Sequence, residues 1–217
     1  MIHLPKICNL RKVTLPALNP GTLYIVATPI GNIEDISYRA IKVLSSVDLI
    51  AAEDTRTTKI LLDRYSISKP MVSYFSYNEK QRTPRLVRDL LDGKSIALVS
   101  DAGTPGISDP AHRLVASAIE NSIPIIPIPG PSAFLPALVV SGLPTESFVF
   151  EGFLPVKKGR KTRLEFLKSE PRTIILYESP HRIVRTLTEI RTAFGERDVV
   201  VARELTKQFE TIYRGTI

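Results

Sequence analysis

Short runs of apolar residues alternate along this chain with longer stretches whose apolar positions recur every three or four residues. Leu23–Ala27 and Leu49–Ala52 are apolar throughout, which predicts strands covered on both faces. Val72–Phe75, Ile96–Val99 and Ile123–Ile128 read as further strands. Between them, Ile36–Leu44, Thr58–Tyr65, Thr83–Leu91 and Leu114–Ile119 carry helical spacing. This alternation predicts a mostly parallel sheet with crossover helices. Beyond Ser141-Gly142-Leu143-Pro144 the pattern restarts. A strand at Phe148–Phe150 is followed by a helix near Thr162–Lys168, a strand at Thr173–Tyr177, a helix at Pro180–Phe194 and a strand at Val199–Ala202. The expected organisation is an extension over 1–20, one α/β domain over 21–141 and a second over 142–217. Tyr213-Arg214-Gly215-Thr216-Ile217 reads like the opening of another strand, so the second domain is expected to be incomplete.

Four strand-to-helix junctions concentrate glycine, proline and small polar residues. They are Ala27–Asn32, Asp101–Pro110, Pro127–Ala133 and Tyr177–Arg182. In an α/β protein such junctions present backbone groups to a small polar ligand beyond the carboxyl ends of the strands. Each also has a plainer reading, as punctuation between elements. Asp109-Pro110, Gly130-Pro131 and Ser179-Pro180 place a proline at the expected first helical position, with Asp109 and Ser179 as caps.

Composition narrows the classes. The chain has 217 residues, 43% hydrophobic, enough to bury a full core. Its single cysteine, Cys8, excludes an internal disulfide and a multi-cysteine zinc site. His3, His112 and His181 are scattered without metal-ligand spacing, so no metal is expected. No apolar run approaches the ~18 residues of a membrane span, and no signal-like segment opens the chain. A cytoplasmic protein without membrane partners is expected. The net charge of +7 favours a polyanionic partner. Lys157, Lys158, Arg160, Lys161 and Arg163 form the basic cluster.

Several familiar motifs fail. Gly93-Lys94-Ser95 lacks the first glycine of a P-loop and leads into a strand. No G-x-G-x-x-G follows a strand, and Gly130–Phe134 is no nucleophile elbow.

Six stretches taken together resemble the tetrapyrrole methylase superfamily. They are Gly21–Asn32, Ala52–Arg56, Leu98–Pro105, Ser141–Pro144, Tyr177–Arg182 and Ala202–Lys207. Within it they are similar to the bacterial branch that methylates a cytidine 2′-hydroxyl of 16S ribosomal RNA. The resemblance implies two α/β domains with an S-adenosylmethionine (SAM) cleft between them, a class III methyltransferase, and a homodimer acting on 16S rRNA or the small ribosomal subunit. Thr28-Pro29-Ile30-Gly31-Asn32 stands where many superfamily members have G-x-G-P-G, which argues against a corrin or sirohaem substrate. A tetrapyrrole C-methyltransferase and a non-catalytic SAM- or RNA-binding protein are the alternatives.

The resemblance implies cofactor contacts at Pro29, Gly31, Asp101, Ala102, Gly103, Thr104, Ile107, Ser108, Pro129, Gly130, Ser132, Ala133, Tyr177 and Ala202. Ser132 has a capping role as its alternative, and Tyr177 a place in the core. Glu53, Asp54 and Arg56 are candidates for orienting RNA, or else a salt-bridged structural element. The basic cluster is expected to grip phosphate, with Arg182, Arg185, Arg203 and Lys207 extending it; a solvated loop is the alternative. A 2′-hydroxyl is a weak nucleophile, so a general base is expected. Glu178, Glu204 and Lys207 are the candidates, alongside Glu53 and Asp54.

Overall fold

The computed structural model describes residues 19–217. Cys8, His3 and nearly all of the expected 1–20 extension lie outside the described residues. The first half is a five-stranded parallel sheet in the order β3-β2-β4-β1-β5. Its strands are β1 (Leu23–Val26), β2 (Leu49–Ala52), β3 (Met71–Ser73), β4 (Ile96–Val99) and β5 (Ile125–Ile128). Four helices cross between them: α1 (Tyr38–Ser46), α2 (Thr55–Arg64), α3 (Glu79–Leu91) and α4 (His112–Glu120).

The apolar strand runs are explained by helices on both faces. Ala40, Val43 and Leu44 of α1 and Leu61 and Leu62 of α2 pack with Tyr24, Val26, Ile50 and Val99. Leu86 and Leu90 of α3 and Leu114 of α4 pack on the other face with Leu23, Ile96 and Leu98. All four residues of β4 are buried. Pro127 sits in β5, where an edge strand tolerates a missing N–H.

A short helix, α5 (Phe134–Val139), leads to the second half. There β6 (Phe148–Phe153) pairs in parallel with β7 (Thr173–Tyr177) through α6 (Arg160–Lys168). After α7 (Ile183–Phe194), β8 (Asp198–Arg203) and β9 (Thr211–Thr216) form an antiparallel hairpin. The two pairs are separate ladders.

Helix starts differ from the sequence expectation. The helices α4, α5 and α7 begin at His112, Phe134 and Ile183, two or three residues beyond the prolines, and none has a side-chain cap. At Ser179-Pro180 the physical reason is visible: the Ser179 carbonyl accepts from Arg182 and Ile183, so the proline occupies a turn ahead of the helix. The α3 helix starts before Pro84, because the Asn78 side chain closes a turn onto Phe75 and Ser73 and launches it early.

Candidate active site

The crossovers from β1 and β4, which are neighbours, run in opposite directions, one towards β2 and the other towards β5. Each passes over the other's strand, with α1 and α4 on opposite faces of the sheet, so the two loops leave towards opposite faces. The loops there are tied together. Thr28 and Gly103 exchange backbone hydrogen bonds of 2.8 and 3.0 Å, and the Thr28 hydroxyl donates to the Ser100 carbonyl. Thr104 Oγ1 donates to the Pro131 carbonyl at 3.0 Å. Gly103 has φ +88°, a conformation that favours glycine. At Gly130 any Cβ would lie 2.9 Å from that of Ala27, so only glycine lets the loop after β5 lie on the end of β1.

The second half closes over this edge. Phe134 of α5 packs on Phe150 of β6, and Phe150 on Tyr177 of β7, with ring centroids 4.8 and 5.1 Å apart. Between the halves lies a hollow of about 400 Å³ lined by Ala133, Phe134, Phe153, Tyr177, Ala202 and Leu205, among others. That volume is within the ~300–1,000 Å³ of small-molecule sites. Ser132 is 8% exposed, and its hydroxyl makes no hydrogen bond of ordinary geometry. An orphaned buried hydroxyl costs free energy unless a ligand completes it. Tyr177 is half-buried, and burial is the chief cause that raises its phenol pKa.

The expected cofactor residues fall into two groups. Pro29, Asp101, Ala102, Gly103, Thr104, Ile107 and Ser108 belong to the switch-point loops, with Pro129 and Gly130 beside them on the loop after β5. Ala133, Tyr177 and Ala202 line the hollow, with Ser132 next to Ala133 in the chain. Ser108 connects the groups: it is strained at φ +69°, and its hydroxyl lies 3.2 Å from where a Cβ on Gly152 would stand. Gly31 is placed elsewhere. The Lys207 stem lies where a Gly31 Cβ would be, and the Asn32 N–H donates to Thr206 Oγ1 at 3.0 Å. The open backbone of Gly31 lets the segment between β8 and β9 lie against it.

Carboxylates gather at the strand ends. The Asp101 N–H donates to Glu53, and the Asp101 carboxylate accepts from the Asp54 N–H at 3.0 Å. Asp54 caps α2 through the Arg56 N–H and grips the Arg56 guanidinium at 2.6 Å. Those bonds hold its pKa at about 2. Asp54 and Arg56 thus form the salt bridge that one of the two sequence readings expects. Asp101 is shifted up, chiefly by burial. Asp109, freed from the capping duty its sequence position suggests, is shifted to about 6 by burial and by Glu53, with Asp101 adding. The sequence reading of Asp109 as a helix cap hid this residue. No group of His, Cys, Asp and Glu among the described residues is arranged to hold a metal.

Of the candidate bases, Glu178 is the most committed. Its carboxylate is 5% exposed and accepts from the Ser179 N–H and Thr186 Oγ1, both at 2.7 Å. Arg182 pairs with it at 2.9 Å and Arg160 lies at 3.7 Å. Burial alone would raise its pKa, but Thr186, Ser179, Arg182 and Arg160 outweigh that and lower it. A carboxylate with its lone pairs filled and its pKa depressed is a poor proton acceptor. Glu204 and Lys207 are exposed and pair with each other at 3.3 Å.

The basic cluster divides. Arg160, expected at the RNA surface, is 7% exposed and points inward. It donates to Glu189 and Thr186 at 2.6 Å and to the Pro155 carbonyl at 3.1 Å. Arg163 is paired with Glu151. Lys157, Lys158 and Lys161 are exposed and have no ion-pair partner among the described residues. Charge runs do not reveal in sequence which member turns in. The cue here was the four-residue rise to Leu164, which puts Arg160 on the buried face of α6.

Comparison with known proteins bears on the family and the fold. Residues 22–217 match the family described as tetrapyrrole (corrin/porphyrin) methylases. The chain is 54% identical over 198 residues to "Ribosomal RNA small subunit methyltransferase I" of Halalkalibacterium halodurans, covering 91% of this chain and 68% of that protein. A relative of the same name from Thermotoga maritima is 48% identical over 91% of this chain and 89% of its own length. Among solved structures, a cobalt precorrin-4 methyltransferase superposes with a TM-score of 0.64 at 19% identity, over 90% of this chain and 85% of that one. Uroporphyrin-III C-methyltransferase of Thermus thermophilus, complexed with S-adenosyl homocysteine, gives 0.61 at 16% identity, over 89% and 87%. These two likenesses concern the fold. With its parallel sheet, its second α/β half and a family match from Thr22 to the last residue, the chain belongs to the tetrapyrrole methylase family, among the proteins named ribosomal RNA small subunit methyltransferase I.

Proposed function

We propose that this protein is a SAM-dependent methyltransferase that methylates the 2′-hydroxyl of a cytidine in 16S ribosomal RNA. The hollow between the two halves carries this reading: it is of ligand size, small residues line it at Ala133 and Ala202, and an unpartnered Ser132 hydroxyl is buried beside it. These features fit SAM, which supplies an electrophilic methyl on a sulfonium. Residues 21–141 and 142–217 act as two domains with the cofactor between them. Ser132, Ala133, Tyr177 and Ala202 hold it from the hollow, with Asp101, Gly103, Thr104 and Ser108 on the opposite rim. The carboxyl groups of Glu53, Asp54 and Asp101 gather acidic character at the mouth, which suits a cationic ligand. Ribose oxygen and methyl carbon must be brought into line, and such alignment lowers barriers by several kcal/mol.

The exposed Lys157, Lys158 and Lys161 are placed to meet RNA phosphates, with Arg185 on the neighbouring face of α7. A homodimer is part of this reading. No helix among the described residues is long and apolar enough to cross a membrane, in keeping with action in the cytoplasm. The test is transfer of a radiolabelled methyl from SAM to purified small subunits, to free 16S rRNA and to a tetrapyrrole. Label in a ribose of the RNA is expected; label in the tetrapyrrole alone would overturn the reading.

A further inference from the structure

We infer that the groove between α6 and α7 is a second RNA site, one that holds a nucleotide of the substrate other than the methylated one; the inference rests on the RNA-methylation reading above. The groove has a volume of about 430 Å³, slightly more than the hollow. That is within the ~300–1,000 Å³ of small-molecule sites. One face of each helix lines it. From α6 come Arg160 and Lys161, with Lys157 just before the helix. From α7 come Arg185, Thr188, Glu189 and Thr192, at the three- and four-residue steps of a single helix face.

The lining has two kinds of chemistry. Val156, Leu164 and Ala193 give it apolar surface. The Thr188 and Thr192 hydroxyls donate to the Val184 and Thr188 carbonyls at 3.0 and 2.9 Å, so their protons are spent on their own helix and the side chains add methyl surface. Such a surface suits a base or a sugar. The charged part is cationic. Glu189 is bonded to Arg160 at 2.6 Å and to Arg185 at 2.8 Å, so its charge is taken up within the wall. Among the lining residues Glu165 is the remaining acid. Lys157 and Lys161 are exposed and have no ion-pair partner among the described residues. Unpaired cations beside apolar surface match the phosphate and the base of a nucleotide. A purely acidic chain would meet the lysines alone.

The groove shares a wall with the hollow. Arg160 lines the groove and Glu178 lines the hollow, 3.7 Å apart. Arg160 donates to Thr186 Oγ1 at 2.6 Å, and that hydroxyl donates to Glu178 at 2.7 Å. The two cavities are therefore neighbours, and a buried ion pair fixes their spacing. Phosphate contacts set the register of a strand without reading its sequence. RNA seated in the groove is thus positioned relative to the hollow, and losing the groove should weaken RNA binding without touching the cofactor.

The experiment is a footprint on the whole chain carrying Cys8→Ser and Thr192→Cys, with N-ethylmaleimide as the reagent. Thr192 is exposed, and replacing it leaves every charge of the groove in place. A single-stranded RNA of about 10 nucleotides, and purified small subunits, should each slow alkylation about tenfold or more at saturation. Polyglutamate should not. Ser45→Cys in the same Cys8→Ser background, exposed on α1, should react at one rate with and without RNA. Once alkylated at position 192, the protein should bind RNA about tenfold more weakly, with the salt slope unchanged because no charge is lost. Its affinity for S-adenosylhomocysteine should stay within about threefold. An unprotected position 192, equal protection by polyglutamate, or RNA affinity unmoved by alkylation would each overturn the inference. Methyl transfer by the unmodified chain is measured in parallel. Ribose label with position 192 unprotected would sink the groove alone. Protection with no ribose label in any RNA would sink the activity reading, and with it the groove's role towards a substrate.

Discussion

Replacing Arg160 by Met tests whether the buried network behind Tyr177 holds the second half together. Arg160 donates to Glu189, Thr186 and the Pro155 carbonyl, and lies 3.7 Å from Glu178. At an effective dielectric of about 20, a pair at that separation attracts by about 4 kcal/mol before desolvation is counted. Removing one partner leaves Glu178, 5% exposed at its side chain, short of a counter-charge. Losses of about 3–5 kcal/mol are usual when a buried pair is broken this way. Arg182 remains, so the lower figure is expected, about 3 kcal/mol, or about 6–12 °C in melting temperature for a chain this size. Urea unfolding from pH 4 to 8 is the assay.

Glu178 and Glu189 are held below the usual carboxylate pKa, so their contribution is present above about 4.5 and fades as pH falls through their folded values. The gap between parent and variant should be full at pH 7 and narrow in acid. Adding Glu178→Gln to Arg160→Met should recover part of the loss, because the stranded charge goes with it. A loss below about 1 kcal/mol, or a gap independent of pH, would refute the reasoning.

Three further outcomes are expected. Ser132→Ala should leave the unliganded melting point unchanged or slightly raised, since it removes an unpartnered polar atom, yet weaken S-adenosylhomocysteine binding about tenfold by calorimetry. Lys157→Glu with Lys161→Glu should weaken subunit binding and flatten its salt dependence while sparing cofactor affinity, as filter binding across a salt series would read. Gly130→Ala should cost about 1–3 kcal/mol in thermal unfolding, because the new methyl would meet Ala27 at 2.9 Å.

Strand positions were plainest in the sequence. β2 and β4 begin and end where the apolar runs do, because a strand buried between helix layers has no room for a polar residue. Helix starts were harder. Asp109-Pro110 and Ser179-Pro180 have the composition of a cap and first turn, but the chain spends them on turns, and local composition does not distinguish the two. The strand-end loops were legible as a group through glycine and proline. Which side chain faces the hollow was not, since that depends on how the second half folds back. Arg160 shows the same limit: its charge is visible in sequence, its inward rotation only in the packing of α6 on α7.

The β8–β9 ribbon is pinned to the first half at two separate points. Thr206 at its turn receives the Asn32 N–H, and Arg214 further along donates to the carbonyls of Val140 and Ser141. A ribbon nailed twice along its length does not pivot. The hairpin therefore stands as a fixed wall beside the hollow, anchored by the first half and not by any shared ladder with β6 and β7.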